Sequence, residues 1–255
     1  MYDFSIITVN LNNLDGLRNT IKAVSSQTYK NFEHIIIDGN SVDGSAKFIE
    51  TISTNFVVSS DQGIFDAMNK GINKSLGRLL CFLNSGDIIY PDALEHVHKL
   101  FNHEVYDFVM NPVDIYSREN KFLFTKFPNQ VNKDCKYLTQ MPAAHMAFFI
   151  KRSIFHSIGN FDLSYQVSSD FDFTNRLFQH TNKYLLLNKS IGRFYLGGKS
   201  SSYKPYYEDF LILKKNNFPI FSNSTIFIKK NIIYFFKQLL PEIFLSFIKK
   251  LRSNG

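Results

Sequence analysis

DQGIFDAMNKGINKSLGRLLCFLNSGD, residues 61–87, holds a loop, a helix, a strand and a polar turn in that order. Ile64, Met68, Ile72 and Leu76 recur at helical spacing, which predicts an amphipathic helix ended by Gly77. Leu79, Leu80, Cys81, Phe82 and Leu83 then make an unbroken apolar run of the length of a parallel strand buried on both faces. Asn84, Ser85, Gly86 and Asp87 follow it directly. In an open α/β sheet that position is the carboxyl edge, where ligands bind. A single Asp after a strand is also ordinary turn or capping chemistry, so the meaning of Asp87 depends on what lies upstream.

Upstream, the same alternation recurs. Residues 4–9, FSIITV, form a first strand ending in Asn10, and Asn12 or Asn13 can cap a helix with Leu14, Leu17, Ile21 and Val24 on its apolar stripe. Residues 33–37 form a second strand, followed by the polar turn DGNSVDG and a helix through Ala46, Ile49 and Ile52. A third strand is expected at residues 56–58. Strands alternating with helices predict right-handed βαβ units and a mostly parallel sheet flanked by helices. Three polar turns, at residues 8–12, 38–43 and 84–87, then gather along one edge of that sheet. Each alone is turn chemistry. Together they suit a polar ligand carrying phosphates or sugar hydroxyls, with a cation.

Composition narrows the choice. A chain of 255 residues suffices for one large α/β domain with a small appendage. Two cysteines, Cys81 and Cys135, give neither a disulfide framework nor a metal-ligand spacing and fit a reducing compartment. The N-terminus has no basic leader with a cleavable apolar region, and no segment reaches the ~20 apolar residues of a membrane span. No glycine-rich dinucleotide or P-loop fingerprint occurs, which counts against NAD enzymes and P-loop NTPases. Residues 1–120 carry 9 Lys/Arg against 15 Asp/Glu, whereas residues 121–255 carry 20 against 7. That split implies two surfaces with different partners. No nucleic-acid motif accompanies the basic half, so nucleic acid is not expected.

The stretch SIITVNLNNLDGLRNTIKAVSSQTYKNFEHIIIDGNSVDGS resembles the opening of family-2 inverting glycosyltransferases, which have the Rossmann-like GT-A fold. Residues 60–87 resemble the next block of a subgroup that builds bacterial surface polysaccharides. The resemblance implies that Thr8, Asn10, Asp38 and Asp61 hold the base and ribose of a nucleotide sugar, with Lys70 near its diphosphate. NSGD stands in the place of the family's acidic metal motif. Asn84 and Ser85 then lie beside the donor, and Asp87 is the one carboxylate left to bind Mn²⁺ or Mg²⁺. Such a cation takes few protein ligands besides substrate phosphates.

Pro91 opens a helix through Leu94, Val97 and Leu100, and residues 106–116 and 121–126 read as strands of an acceptor-facing half. The block from Pro142 to Phe178 resembles the family's acceptor side. His145 in it reads on its own as a buried, satisfied histidine, and by resemblance as a polar residue near substrate. Ser168 or Ser169 caps a helix with Asp170 and Asp172 in its first turn, where capping alone would favour a carboxylate. Resemblance makes Asp170 the catalytic base, with Ser169 replacing the family's preceding Glu. FYLGGKSSS, residues 194–202, resembles the loop that closes over the diphosphate, and Lys199 would meet phosphate there. Residues 225–252 hold six Lys/Arg, one acid and bulky apolar residues, broken by Pro241, which suits amphipathic helices in a membrane interface.

The expectation is therefore a GT-A domain over residues 1–220, with a nucleotide-sugar half (1–110) and an acceptor half (111–220), followed by a basic helical tail (221–255). The implied activity is metal-dependent transfer from a nucleoside-diphosphate sugar, UDP favoured. The acceptor would be a glycan, carried on a lipid such as undecaprenyl diphosphate, at the cytoplasmic face of the membrane. The alternative is a catalytically inactive nucleotide-sugar-binding partner in a membrane assembly.

Overall fold

The computed structural model describes residues 2–52, 55–131, 137–196 and 204–219, with 224–225, 227–228 and 231. The chain divides into two compact units, residues 1–198 and 199–255. The first unit opens with β1 (Phe4–Asn10), α1 (Leu14–Ser25), β2 (Phe32–Asp38), α2 (Ser45–Ile52), β3 (Phe56–Val58), α3 (Ile64–Lys74) and β4 (Leu79–Asn84). It continues with β5 (Ile88–Ile89), α4 (Ala93–Leu100), β6 (Phe108–Met110), β7 (Val113–Tyr116) and β8 (Phe122–Lys126). A 3-10 turn at His145–Ala147 precedes β9 (Phe148–Lys151), α5 (Arg152–Ile158), α6 (Ser169–His180), β10 (Tyr184–Leu186) and β11 (Gly192–Tyr195). In the second unit α7 spans Lys204–Lys215, and Phe210 packs on Phe227 with ring centroids 5.1 Å apart.

Among the described residues the main sheet has the order β10-β6-β9-β4-β1-β2-β3. Pairings β1–β2, β1–β4, β2–β3 and β6–β10 are parallel, and β9 runs antiparallel to both β4 and β6. The fold is thus α/β with a central mixed sheet. Every residue of β1 is buried, as are Leu79 to Leu83 of β4, because helices cover both faces of these central strands. A smaller sheet, β5-β11-β7-β8, begins immediately after Asp87.

Two sequence expectations need correction. The helix within residues 61–87 ends at Lys74 rather than at Gly77, and Leu76 is exposed rather than on its buried stripe. Ser75 turns its hydroxyl back onto Ile72 O (2.7 Å), and the buried carboxylate of Glu33 accepts from Leu76 N (2.6 Å) and Gly77 N (3.1 Å). These bonds satisfy amides that a further helical turn would have used. Residues 106–116 are not one strand. Asn111-Pro112 divides them into β6 of the main sheet and β7 of the smaller one, as expected where proline cannot donate to a ladder.

Candidate active site

The parallel register sets Asn10 beside Asp38, Val9 beside Asn84, and Asp38 beside Val58. The three polar turns therefore share one edge of the sheet. Asp38 is fully buried, and its carboxylate accepts from Asn10 Nδ2 (2.7 Å), Ser41 N (2.7 Å) and Ser41 Oγ (2.8 Å). It organises the turn after β2. Asn10 Oδ1 is buried at the same place with no hydrogen-bond partner among the described residues. Thr8 is fully buried, with Oγ1 2.9 Å from Nε2 of His34. Burial pushes the His34 imidazole down to about 4. The partly exposed Asp61 accepts from Gly63 N (3.0 Å) and crowds the β2 turn so closely that a Cβ on Gly39 would lie 2.6 Å from Asp61 Oδ2. Lys70 donates to Ser60 O (2.7 Å) and Ser59 Oγ (3.1 Å) and pairs with Asp66 at 3.3 Å. Its charge clamps the loop that carries Asp61.

At the NSGD turn, Gly86 has φ +107°, a left-handed conformation natural to glycine, and its N–H donates to Thr20 Oγ1 (2.9 Å). Thr20 Oγ1 in turn donates to Asp87 O (2.8 Å). Asn13, which caps α1, also donates from Nδ2 to Ser85 O (2.8 Å). The turn is fixed by α1 on one side. On the other side His145 reaches it: Nε2 lies 3.2 Å from Asn84 Nδ2 and 3.5 Å from Asp87 Oδ2. Asp87 is 5% exposed and accepts from Asn84 N at Oδ2 (2.9 Å).

His145 is placed by its neighbours. Asn111 donates both N (3.1 Å) and Nδ2 (3.0 Å) to Ala147 O, pinning the 3-10 turn, and Phe194 of β11 meets the imidazole edge-to-face at 5.7 Å. Burial works to lower the His145 pKa, but the hydrogen bond and charge of Asp87 and then the charge of Asp170 outweigh it, leaving the ring above its usual value. Lys126 opposes them. The structure thus sets Asp87 beside His145 and brings the ring within the field of Asp170, from three distant parts of the chain. Asp170 is partly exposed in the first turn of α6, and one carboxylate oxygen accepts from Phe171 N (2.9 Å). Ser169, where the family has Glu, is fully buried with Oγ unpartnered.

Asp172 has a different environment. It is buried and paired with Arg176 Nε (2.8 Å), whose other nitrogens hold Ile158 O (2.6 Å) and Asn160 O (2.9 Å). It braces the end of α5. Of the stretch 194–202, Phe194 and Tyr195 end β11, and Lys199 lies outside the described residues.

Among the described residues no three His, Cys, Asp or Glu side chains cluster as a metal site. The turn nevertheless offers oxygens to a hard cation. Asp87 Oδ1 makes no hydrogen bond among the described residues, and Asn84 Oδ1 is buried without a partner. That donor set fits a sparsely held cation completed by phosphate and water. His145 is the residue that sequence reasoning undervalued. Its signal was an imidazole set just before the apolar run of β9, at the same sheet edge as NSGD.

Such an edge, with one carboxylate after a central strand and another at a helix start, is where an open α/β sheet binds its ligand. Residues 5–159 match the model of glycosyl transferase family 2, and the chain belongs to that family, with its GT-A fold. A PGL/p-HBAD biosynthesis glycosyltransferase of Mycobacterium tuberculosis is 31% identical over 185 residues, covering 69% of this chain and 70% of the relative. An uncharacterized glycosyltransferase of Rickettsia prowazekii is 25% identical over 260 residues, covering 89% and 80%. Among solved structures, S. aureus TarS in complex with UDP-GlcNAc superposes with TM-score 0.67 at 15% identity, covering 93% of this chain and 73% of that one. A mannosyltransferase of Pyrobaculum calidifontis, in complex with GDP-Man and Mn²⁺, gives 0.63 at 13% identity, covering 88% and 69%. At such identities these two structures speak to the fold.

Proposed function

We propose that this chain is an inverting, hexosyltransferase-like enzyme that takes a sugar from a nucleoside-diphosphate donor, UDP favoured. The acceptor is a hydroxyl of a lipid-linked glycan, at the cytoplasmic face of a bacterial membrane, during surface polysaccharide synthesis. The observation that carries the reading is the NSGD turn at the carboxyl edge of the sheet, where His145 Nε2 lies 3.5 Å from Asp87 Oδ2 and the ring also feels the charge of Asp170. The UDP-GlcNAc bound by TarS supports the donor class, and the mycobacterial relative, named for PGL/p-HBAD biosynthesis, supports a biosynthetic transferase role.

In this reading Asp170 removes the proton from the acceptor hydroxyl while that oxygen attacks the anomeric carbon. The bond from that carbon to the diphosphate breaks on the opposite face, and the nucleoside diphosphate leaves with its electron pair. A single displacement of this kind inverts the anomeric centre. Asn84 and Asp87 would hold Mn²⁺ or Mg²⁺, which supplies charge to neutralise the departing diphosphate. Asn10, Asp38 and Asp61 shape the nucleoside end. Thr8 contributes through His34, and Lys70 holds the Asp61 loop in place. Lys199 remains the proposed cation of the closing loop.

A thermal-shift screen of UDP-, GDP- and dTDP-sugars, with and without Mn²⁺, tests the donor. A ligand at 100 times its Kd stabilises the fold by about 2.7 kcal/mol. A melting point unmoved by every donor would refute the reading. The thinned metal motif favours one rival, an inactive binder of nucleotide sugars. Sugar transfer into an acceptor extract, lost on Asp170→Asn, would exclude it.

A further inference from the structure

One nitrogen, Nε2 of His145, touches both functional side chains of the NSGD turn. It meets the nitrogen end of the Asn84 amide at 3.2 Å and Oδ2 of Asp87 at 3.5 Å. With its proton on Nδ1 the neutral ring accepts from Asn84 Nδ2 at Nε2, while Asp87 Oδ2 is engaged by Asn84 N (2.9 Å). These bonds leave Asn84 Oδ1, buried and unpartnered, and Asp87 Oδ1, free of hydrogen bonds among the described residues. A buried amide oxygen without a partner is costly, and a bound ion is one of the ligands that answers such a cost. The ring that imposes this arrangement is rigidly mounted. Asn111 pins its turn through Ala147 O, Cys81 Sγ lies 3.6 Å from Met146 O, and Phe194 supports the imidazole edge-to-face.

We propose that His145, as the neutral imidazole, is a positioning residue that holds Asn84 Nδ2 and so leaves Asn84 Oδ1, together with Asp87 Oδ1, as a two-oxygen ligand set for the divalent cation that accompanies the donor diphosphate. The inference rests on the reading of the chain as a nucleotide-sugar transferase. It adds that NSGD is not a metal motif reduced to one carboxylate. The amide oxygen of Asn84 stands in for a lost acid, and it does so only while His145 holds the other end of the amide. A hard cation accepts carbonyl-type oxygens as readily as carboxylates. Partners that orient metal ligands typically govern affinity by 10- to 100-fold. The same ring lies within the electrostatic reach of Asp170, so the cation side and the base side share one support.

The test titrates Mn²⁺ into protein saturated with UDP, followed by electron paramagnetic resonance, with UDP affinity in chelator and the melting temperature as controls. His145→Ala is expected to weaken Mn²⁺ about 10- to 100-fold, while metal-free UDP affinity and melting temperature stay near wild type. Asn84→Ala is expected to weaken Mn²⁺ comparably. The double variant His145→Ala/Asn84→Ala is expected to be no worse than the weaker single, because one residue acts through the other. Should His145→Ala melt early, His145→Gln, which keeps a side-chain acceptor for Asn84 Nδ2 at similar reach, is expected to restore the fold and part of the Mn²⁺ affinity.

Unchanged Mn²⁺ affinity in a folded His145 variant would overturn the proposal, as would additive losses in the double variant. A wild-type protein that binds UDP but never Mn²⁺ would overturn both this inference and the cation in the proposed mechanism. Failure to bind UDP at all would instead sink the transferase reading.

Discussion

Asp170 and Asp172 lie two residues apart in α6, and their surroundings separate their tasks. Asp172 is buried against Arg176, so Asp172→Asn is expected to act on the fold. Loss of one charge-assisted bond should cost about 1–3 kcal/mol, read as a lower urea midpoint, with turnover of the folded fraction kept. An unshifted midpoint would contradict that assignment. His34 makes a pH-dependent prediction. Its ring stays neutral in the fold because burial holds its pKa at about 4 against an ordinary 6.5. Below pH 6.5 the unfolded chain takes up a proton that the folded chain refuses, so stability falls as pH drops toward 4. The loss is at most about 1.4 kcal/mol per pH unit, and less because the residue is partly exposed. His34→Gln keeps a polar partner for Thr8 and removes the titration. Its stability should therefore decline less than wild type between pH 7 and pH 5, and parallel declines would show that His34 does not titrate in this way.

At the scale of elements, α3 connects the loop that carries Asp61 to the stretch that leads into α6. Asn69 donates from Nδ2 to Phe161 O (2.9 Å) and accepts at Oδ1 from Phe161 N (3.0 Å), tying α3 to the stretch that leads into α6. Asn69→Ala is expected to lower stability by about 1–2 kcal/mol, two ordinary hydrogen bonds at a part-buried site, and to reduce kcat more than donor affinity. Equal stability of variant and wild type would remove the tie from the account. Elements governed by local signals could be read in the sequence. The apolar runs of β1 and β4, the Asn13 cap of α1 and the helix start before Asp170 all follow from neighbours in the chain. What escaped reading depends on distant partners. Glu33 ends α3 early from another strand, Pro112 sends β7 into a second sheet, and His145 meets Asp87 only when β9 pairs with β4. Lys70 was placed by resemblance near a diphosphate, and its backbone partners in the preceding loop have no sequence signature.

At the scale of the whole molecule, an acidic N-terminal half and a basic C-terminal half suggest that a soluble donor and a lipid-borne acceptor are handled by different surfaces. Among the described residues no helix is long and apolar enough to cross a membrane. We propose, from the basic and apolar composition of residues 225–252, that they attach to a membrane surface, each Lys or Arg near an anionic surface contributing about 1 kcal/mol. Deleting residues 225–255 should move the protein from the membrane to the soluble fraction and reduce transfer to lipid-linked acceptors more than to soluble ones. Aggregation of the truncated chain would instead make the tail part of the fold. The central claim is that one carboxylate, at the start of α6, removes the acceptor's proton across the edge from the NSGD turn. The most direct measurement is single-turnover transfer by Asp170→Asn beside its UDP affinity. The amide preserves size and the bond to Phe171 N but has no basicity, so the rate should fall about 10²–10⁴-fold with UDP binding nearly unchanged. Retention of more than about a tenth of the wild-type rate, outside that general-base range, would contradict the account.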